Sequence, residues 1–267
     1  MNLSFCNVIC QRVVGFYYST KKNTNNGFVL FSVVVGMLST LIVVGWMIIP
    51  NSGQIYGRAV HRVKTKEKVV ALTFDDGPNP PFTNQILDVL KKNGVKATFF
   101  VVGTRCKQFP EVVKQVYKSG HELGNHTWSH NVLILKSSKF IRNEIDSTDK
   151  FLRDLGYIDT IHFRSPKGMK FIGLSRILAK TNRDNILFDV VAWDWSCPGV
   201  EKIVKNVINS VRSGAIILLH DGNGDNNYQI TDRSQTVAAT EIIIQRLKSQ
   251  GYSFVTISEL LQKGKAK

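Results

Sequence analysis

Val69-Val70-Ala71-Leu72-Thr73-Phe74-Asp75-Asp76-Gly77-Pro78 is the most informative part of this chain for its fold. Its first four residues are apolar and predict a buried strand, and Gly77 and Pro78 predict the turn that ends it. Two adjacent carboxylates, Asp75 and Asp76, therefore stand at the carboxyl end of a strand. In α/β barrels, that end of the strands carries the residues that do chemistry.

A second stretch, His126-Thr127-Trp128-Ser129-His130, supplies two imidazoles four residues apart. Histidines at this spacing would share one face of a helical turn, so both rings could reach one divalent cation, with a carboxylate as third ligand. Three protein ligands leave a coordination position open, which is typical of a catalytic rather than a structural metal. Taken alone, the histidines also fit a helix surface and the aspartates a solvated turn.

Strand and helix patterns alternate along the rest of the chain. Short apolar runs predict seven strands, at 69–74, 97–102, 122–124, 161–164, 185–189, 215–220 and 252–255. Helical periodicity falls between them, at 84–93, 110–119, 138–155, 173–179, 200–211, 234–249 and 257–262. This alternation predicts parallel strands in an α/β barrel.

Five segments of residues 68–261, taken in order, resemble the motifs of the polysaccharide deacetylase family, the family 4 carbohydrate esterases. These enzymes remove N-acetyl or O-acetyl groups from glycans such as chitin and peptidoglycan. The segments are 73–77, 126–130, Arg164-Ser165-Pro166-Lys167-Gly168, Asp194-Trp195 and Leu218-Leu219-His220-Asp221. The resemblance implies a distorted (β/α) barrel with a missing or irregular strand, which suits about seven parallel strands.

The resemblance also implies a role for each motif. Asp75 would be the general base and Asp76 the metal ligand beside His126 and His130. Arg164 would hold Asp75 ionised, and His220, paired with Asp194, would protonate the leaving nitrogen. The backbone N–H of Lys167 would complete the oxyanion site. The substrate-binding positions would be Lys167, Trp195 and Leu218.

Two positions depart from the family pattern. Lys167 stands where the family usually has an aromatic residue, most often tyrosine, so one wall of the sugar groove is changed. The fourth motif often carries an aspartate where this chain has Val191, although Asp189 lies nearby on the same face of a strand. Neither departure removes an implied metal ligand, base or acid.

The leading hypothesis is metal-dependent hydrolysis of N-acetyl groups from amino sugars of a cell-wall or extracellular polysaccharide. Peptidoglycan is favoured, and chitooligosaccharide or poly-N-acetylglucosamine are the alternatives. Zinc is the expected ion for two histidines and one aspartate, and cobalt or nickel also suit this ligand set. A hypothesis of another class is a glycan-binding or scaffold domain without turnover.

The first fifth of the chain has a different composition. Residues 28–49 are apolar and uncharged, and at ~1.5 Å per residue they would span the hydrocarbon core of a bilayer. We therefore expect a cytoplasmic tail at 1–27, an uncleaved transmembrane signal anchor at 28–49, a linker at 50–66 and the catalytic domain at 67–267. The expected location is a single-pass membrane protein with its catalytic domain on the extracytoplasmic side.

The formal net charge is +15. No nucleic-acid-binding motif accompanies it and the charges are scattered, so membrane lipid or an anionic wall polymer is the favoured partner. Cys6 and Cys10 precede the apolar span and are left open as lipidated or reduced thiols. Neither Cys106 nor Cys197 has the spacing partners of a cysteine zinc site; a disulfide between these two is left open, as is the oligomeric state.

Overall fold

The computed structural model describes residues 26–48, 58–224 and 229–267. The chain divides into two compact units, Met1–Ile48 and Ile49–Lys267. The described part of the first unit is helix α1, Asn26–Ile48. None of the helices in these described ranges is both long and apolar enough to cross a membrane. Most of the predicted tail and about half of the predicted linker lie outside the described residues.

The second unit is built on one parallel sheet. In chain order its strands are β1 Ala59–Val60, β3 Val69–Asp75, β4 Thr98–Val101, β5 Glu122–Asn125, β6 His162–Phe163, β7 Asn185–Ile186, β8 Val190–Val191, β9 Ala215–His220 and β10 Ser253–Val255. Eight of them follow one another in the order β1-β7-β6-β5-β4-β3-β9-β8, and β10 pairs with the first half of β3. Two further strands, β2 Val63–Lys64 and β11 Lys265–Ala266, form a small antiparallel pair.

The sheet curves into an incompletely closed barrel. Strands β7 and β8 lie toward opposite ends of the strand order, yet only three residues separate them along the chain, so the two ends of the sheet come near each other. Within the described residues, no pairing joins β8 to β1. The predicted parallel α/β barrel is confirmed, but about seven strands is too few, because the strand order contains eight.

The additional strands are short. Strands β1 and β2 lie in the predicted linker, and the predicted strand at 185–189 is replaced by β7 and β8, which pair at different places in the sheet. Two-residue strands contain no measurable periodicity, so only their hydrogen-bonding partners define them.

Helices cover the outside of the sheet. They are α2 Phe82–Lys92, α3 Gly103–Gln108, α4 Pro110–Lys118, α5 Ser138–Asp154, α6 Ile172–Lys180, α7 Val200–Ser210, α8 Ser234–Ser249 and α9 Ile257–Gln262. All seven predicted helices are present, and those at 234–249 and 257–262 have the predicted bounds. Only the short α3, which lacks two full turns of apolar pattern, was not predicted.

Alternation along β3 divides the core into two layers. Val70, Leu72 and Phe74 belong to the large apolar cluster that packs beneath the helices, whereas Val69 and Ala71 belong to a cluster inside the barrel. Because successive side chains of a strand point to opposite faces, Thr73 and Asp75 also face the barrel interior. The same alternation in β9 places Leu218 and His220 inside.

Candidate active site

Asp75 and His220 lie side by side because their strands are in register. They end the adjacent parallel strands β3 and β9 and are paired partners in the ladder. The sequence separates them widely, and only this register places both side chains on the interior face of the barrel mouth.

Arg164 is fixed against Asp75 inside the barrel. Its Nη1 donates to Asp75 Oδ1 at 2.6 Å and to Thr73 Oγ1 at 2.8 Å. Its Nε and Nη2 donate to the carbonyl oxygens of Ile186 and Leu187, at 2.8 Å and 3.2 Å. The side chain is fully buried, with its guanidinium 4.0 Å from the centre of the Phe100 ring. A buried cation held by four acceptors orients one carboxylate oxygen and leaves the other available.

The arginine's environment opposes its charge. Burial lowers the pKa of Arg164 below its usual value, and the Asp75 carboxylate offsets only part of this shift. Because an arginine stays protonated under these conditions, the pair places a permanent positive charge beside the carboxylate.

The two histidines do not lie on a helix, which corrects the sequence prediction. They belong to a loop that follows β5, with Thr127 and His130 in the left-handed region at φ 72° and 53°. Asn125 Oδ1 accepts from the Thr127 N–H at 2.7 Å, and Thr127 Oγ1 accepts from the His130 N–H at 3.1 Å. These side-chain acceptors take backbone donors that a helix would need, so the chain forms turns instead.

The loop nevertheless brings both rings to Asp76. The ring centres of His126 and His130 are 5.0 Å apart. Asp76 Oδ1 lies 3.4 Å from His126 Nε2 and 3.1 Å from His130 Nε2. One ligand atom from each residue fits within 4.8 Å of the others, the spacing of a metal-binding group. Gly224 packs directly against the His130 ring, so closely that a Cβ at this position would lie 2.2 Å from His130 Nδ1.

Hydrogen bonding fixes the orientation of the His126 ring. Its Nδ1 lies 2.9 Å from the carbonyl oxygen of Arg164, a contact that requires Nδ1 to carry the proton. With Nδ1 as the donor, Nε2 can present its lone pair to the cluster, the arrangement by which protein histidines bind metals. Burial lowers the pKa of His130 to about 4, so the His130 ring is neutral near neutral pH.

The acidic ligand fits a cation. Asp76 Oδ1 is buried and has no hydrogen-bond donor among the described residues. Burial opposes its ionisation, but the neighbouring His126, His130 and His220 outweigh burial and lower the pKa of Asp76 well below its usual range. An ionised, buried oxygen that faces two imidazole nitrogens without a donor is poorly satisfied unless a cation lies between them. The three residues therefore fit a divalent metal with an open position.

His220 is held by an acidic partner. Its Nδ1 lies 2.9 Å from Asp194 Oδ1, and its backbone N–H donates to Asp194 Oδ2 at 2.8 Å. Thr236 Oγ1 donates to the same Oδ2 at 2.9 Å. Burial disfavours the imidazolium, but the Asp194 carboxylate outweighs burial and raises the pKa of His220 above its usual value.

Asp189 does not belong to this network. Its carboxylate accepts from Arg212 Nε at 2.9 Å and from the Ile216 N–H at 3.1 Å. Asp189 therefore does not support the Asp194–His220 pair. Thr236, at the start of α8, does so through its hydrogen bond to Asp194. No local pattern in the sequence connects Thr236 with Asp194.

These groups meet in one cavity of about 360 Å³. All of the predicted substrate-binding positions, Lys167, Trp195 and Leu218, line it together with the predicted base, acid and metal ligands. Arg164 and Asp194 are buried behind it and act on the residues that line it. Lys167 has φ 59°, a left-handed conformation between Pro166 and Gly168.

The cavity also contains residues that the sequence did not indicate. Phe188, Asn223 and Arg233 line it. Arg233 is almost fully buried, and its Nε donates to the Gly222 carbonyl at 2.8 Å. Its position just before α8 gives no signal of a site, because an isolated arginine before a helix is common on protein surfaces.

Asp221, beside the predicted acid, is a buried carboxyl group. Its Oδ2 accepts from Thr83 Oγ1 at 2.6 Å, and burial raises the pKa of Asp221 to about 7. It packs so closely against Gly77 that a Cβ there would lie 2.0 Å from Oδ2. The glycine in the first motif is therefore required by this close approach as well as by the turn.

The two cysteines of the catalytic unit are both free. Cys106 is buried and Cys197 is exposed, so the disulfide left open by the sequence is not formed. Burial raises the pKa of the Cys106 thiol, which keeps it protonated and unreactive.

Comparison with known proteins agrees with this geometry. Residues 62–182 match the family model described as polysaccharide deacetylase. A peptidoglycan-N-acetylglucosamine deacetylase of Bacillus cereus is 41% identical over 211 residues, which cover 77% of this chain and 94% of that protein. A chitooligosaccharide deacetylase of Sinorhizobium fredii is 37% identical over 201 residues, 74% of this chain and 94% of that protein.

A solved structure has the same fold. The Bc1960 peptidoglycan N-acetylglucosamine deacetylase superposes with a TM-score of 0.71 at 33% identity, over 79% of this chain and 96% of that one. The motifs, the barrel and these relatives agree, and this chain belongs to the polysaccharide deacetylase family.

Proposed function

We propose that this protein hydrolyses N-acetyl groups of amino sugars in a cell-wall or extracellular polysaccharide, with peptidoglycan as the favoured substrate. The products are acetate and a glycan with a free amine. The observation that carries the proposal is the meeting of a buried Asp76–His126–His130 group with Asp75 and His220 in one cavity. Peptidoglycan is favoured because the Bacillus cereus relative, which this chain covers almost completely, is named for that substrate.

Asp75 acts as the general base. Its Oδ1 is occupied by Arg164, and its Oδ2 lies 3.7 Å from His126 Nε2, on the side of the metal ligands. Arg164 orients the carboxylate through Oδ1, so Oδ2 is available to accept the proton of a water placed next to the ligand group. A bound divalent cation would supply polarisation of the acetyl carbonyl and a lower pKa for that water.

His220 acts as the general acid. It must carry a proton at working pH to deliver one to the leaving amine, and the Asp194 carboxylate favours that charged form. Its register with Asp75 places acid and base on neighbouring strand ends, facing the same cavity. The backbone N–H of Lys167 is the proposed donor to the developing oxyanion, since a backbone donor is independent of the side chain.

Zinc is the proposed ion. Two neutral imidazoles and one carboxylate suit zinc with one open position, and cobalt or nickel fit the same donors. Asp76, His126 and His130 would hold it.

The alternative substrate is a chitooligosaccharide or poly-N-acetylglucosamine. The Sinorhizobium fredii relative is named for chitooligosaccharide and is nearly as fully covered, so this substrate class ranks second. A non-catalytic glycan-binding scaffold is disfavoured, because base, acid and metal ligands are all in place.

The proposal is tested by measuring acetate release from purified peptidoglycan and from chitin oligomers. We expect the full chain to release acetate, to lose this activity with a chelator and to regain it with Zn²⁺. Asp75→Asn should lower the rate at least about a hundredfold, because general base catalysis contributes about that much.

The matched control is Asp154→Asn, which changes an exposed carboxylate paired with Lys150. Glycan binding without metal-dependent acetate release would favour the scaffold hypothesis instead. The single-pass membrane location and the membrane partner, with the catalytic domain outside the cytoplasm, stay predictions from the sequence of residues 28–49.

A further inference from the structure

Two tryptophans flank the partner of the catalytic acid and are both exposed. Trp193 and Trp195, which we call the tryptophan pair, have 54% and 41% of their surface exposed. Trp195 lines the catalytic cavity, and its ring meets the edge of the His220 ring with centres 5.1 Å apart. Trp193 packs against Trp195 with ring centres 4.8 Å apart, yet it lies outside the residues that line the cavity.

The fold holds Trp193 in a conformation that is unfavourable for a bulky residue. Its φ of 60° lies in the left-handed region, which is unfavourable for a side chain with a Cβ. The backbone on both sides is fixed: Asn206 Nδ2 donates to the Ala192 carbonyl at 3.0 Å, and the Asp194 carboxylate is bound by Thr236. An exposed indole that is held by anchored neighbours suggests a binding role rather than a packing role.

The chemistry of an indole suits a sugar ring. A pyranose has an apolar face of C–H groups and a polar rim of hydroxyl groups, so an exposed aromatic face covers the first without desolvating the second. A cavity of about 360 Å³ places one amino sugar over the metal ligands, and a polymer must continue out of its mouth. Trp193, packed against Trp195, extends the aromatic surface beyond the residues that line the cavity.

We infer that Trp193 is the platform for the sugar next to the one being deacetylated, so that the site recognises at least two consecutive sugars of a glycan. This inference rests on the proposed function and names the length of substrate that the same site prefers. Ile158, at 79% exposure, precedes β6 and lies at the amino end of that strand, whereas the cavity lies at the carboxyl ends of the strands.

The test compares Trp193→Ala and Trp193→Phe across N-acetylglucosamine oligomers of increasing length. Loss of one aromatic contact of about 0.5–1.5 kcal/mol corresponds to about a two- to twelvefold change. We therefore expect Trp193→Ala to raise KM by this factor for the longer oligomers, with a smaller effect as the oligomer shortens and with little change in kcat. Trp193→Phe should retain most of the preference for longer oligomers.

Ile158→Ala is the control, because it removes an exposed apolar side chain away from the cavity and should leave the length dependence unaltered. A loss for Trp193→Ala that is equal at every length, or no loss at all, overturns the inference.

Binding without turnover separates this inference from the proposed function. Calorimetric titration of the chelator-treated full chain with the same oligomers should show affinity that increases with length and that Trp193→Ala weakens. If this pattern appears while the untreated protein releases no acetate, the deacetylase proposal fails and the platform stands. If acetate is released but neither KM nor affinity depends on Trp193, the platform inference fails and the deacetylase proposal stands.

Discussion

At the scale of single residues, two ion pairs hold the groups that we propose as base and acid. Arg164 holds Asp75 from inside the barrel, and Asp194 holds His220 from the loop after β8. The two pairs differ in sign: a guanidinium lies against the proposed base, and a carboxylate beside the proposed acid favours its protonated form.

Asp194, as the partner of the proposed acid, should set the alkaline limit of activity. Because the pKa of His220 is raised, its proton persists above the ordinary value and is lost as pH rises through the raised pKa. Asp194→Asn removes the opposing charge, so we expect the descending alkaline limb of kcat to move to lower pH. The measurement is a pH profile of acetate release.

The control for this profile is Asp154→Asn, an exposed carboxylate that does not contact the acid. If Asp194→Asn keeps the alkaline limb of the wild-type pH profile and only lowers the rate equally at every pH, the assignment of His220 as the acid is contradicted.

At the scale of elements, the site depends on the loops at the strand ends as much as on the strands themselves. Strands β3 and β9 place Asp75 and His220 by register alone, whereas the histidines depend on the loop after β5. Asn125 organises this loop: its Oδ1 accepts from Thr127, and its Nδ2 donates to the Ile145 carbonyl at 2.8 Å and to Asp149 Oδ1 at 2.7 Å. One side chain thus joins β5, the loop and α5.

We expect Asn125→Ala to loosen this loop. Loss of buried hydrogen bonds should lower the free energy of unfolding by about 1–3 kcal/mol, measured by urea titration. Because the same bonds orient the metal ligands, affinity for Zn²⁺ should fall by about tenfold or more in a direct titration.

Asn84→Ala is the matched control, since the hydrogen bond from Asn84 to Gln115 is exposed. Unchanged zinc affinity in a destabilised Asn125→Ala would show that the loop is not held by this residue.

At the scale of the whole molecule, we expect charge to affect how the enzyme meets its polymer. The formal net charge of +15 favours approach to anionic wall polymers, and salt screens such attraction over about 10 Å or less near 0.1 M. We expect adsorption to insoluble cell wall to weaken steadily as salt rises from about 0.05 to about 0.5 M. Sedimentation of the full chain with wall material measures it.

Acetate release from a neutral soluble oligomer provides the control, because its KM should change much less over the same salt range. If adsorption to the wall does not change with salt concentration, charge is not the cause of binding.

Much of the fold is specified by local sequence. The continuous apolar runs at β3 and β9 and the helical periodicity of α8 and α9 specify their own positions, because burial and hydrogen bonding within an element depend on near neighbours. Strands of two residues, such as β1 and β8, have no such signal, since pairing with distant strands is what defines them. The predicted strand count was therefore too low.

The chemical groups of the site are evident in the amino-acid sequence, since adjacent carboxylates at a strand end and paired histidines indicate a metal-assisted hydrolase. Three features required the folded chain: His126 and His130 meet through a loop, Thr236 supports Asp194, and Phe188 and Arg233 line the cavity. The physical reason is range. These contacts join residues from distant parts of the chain, or depend on turns closed by side chains, and neither leaves a periodic pattern in the sequence.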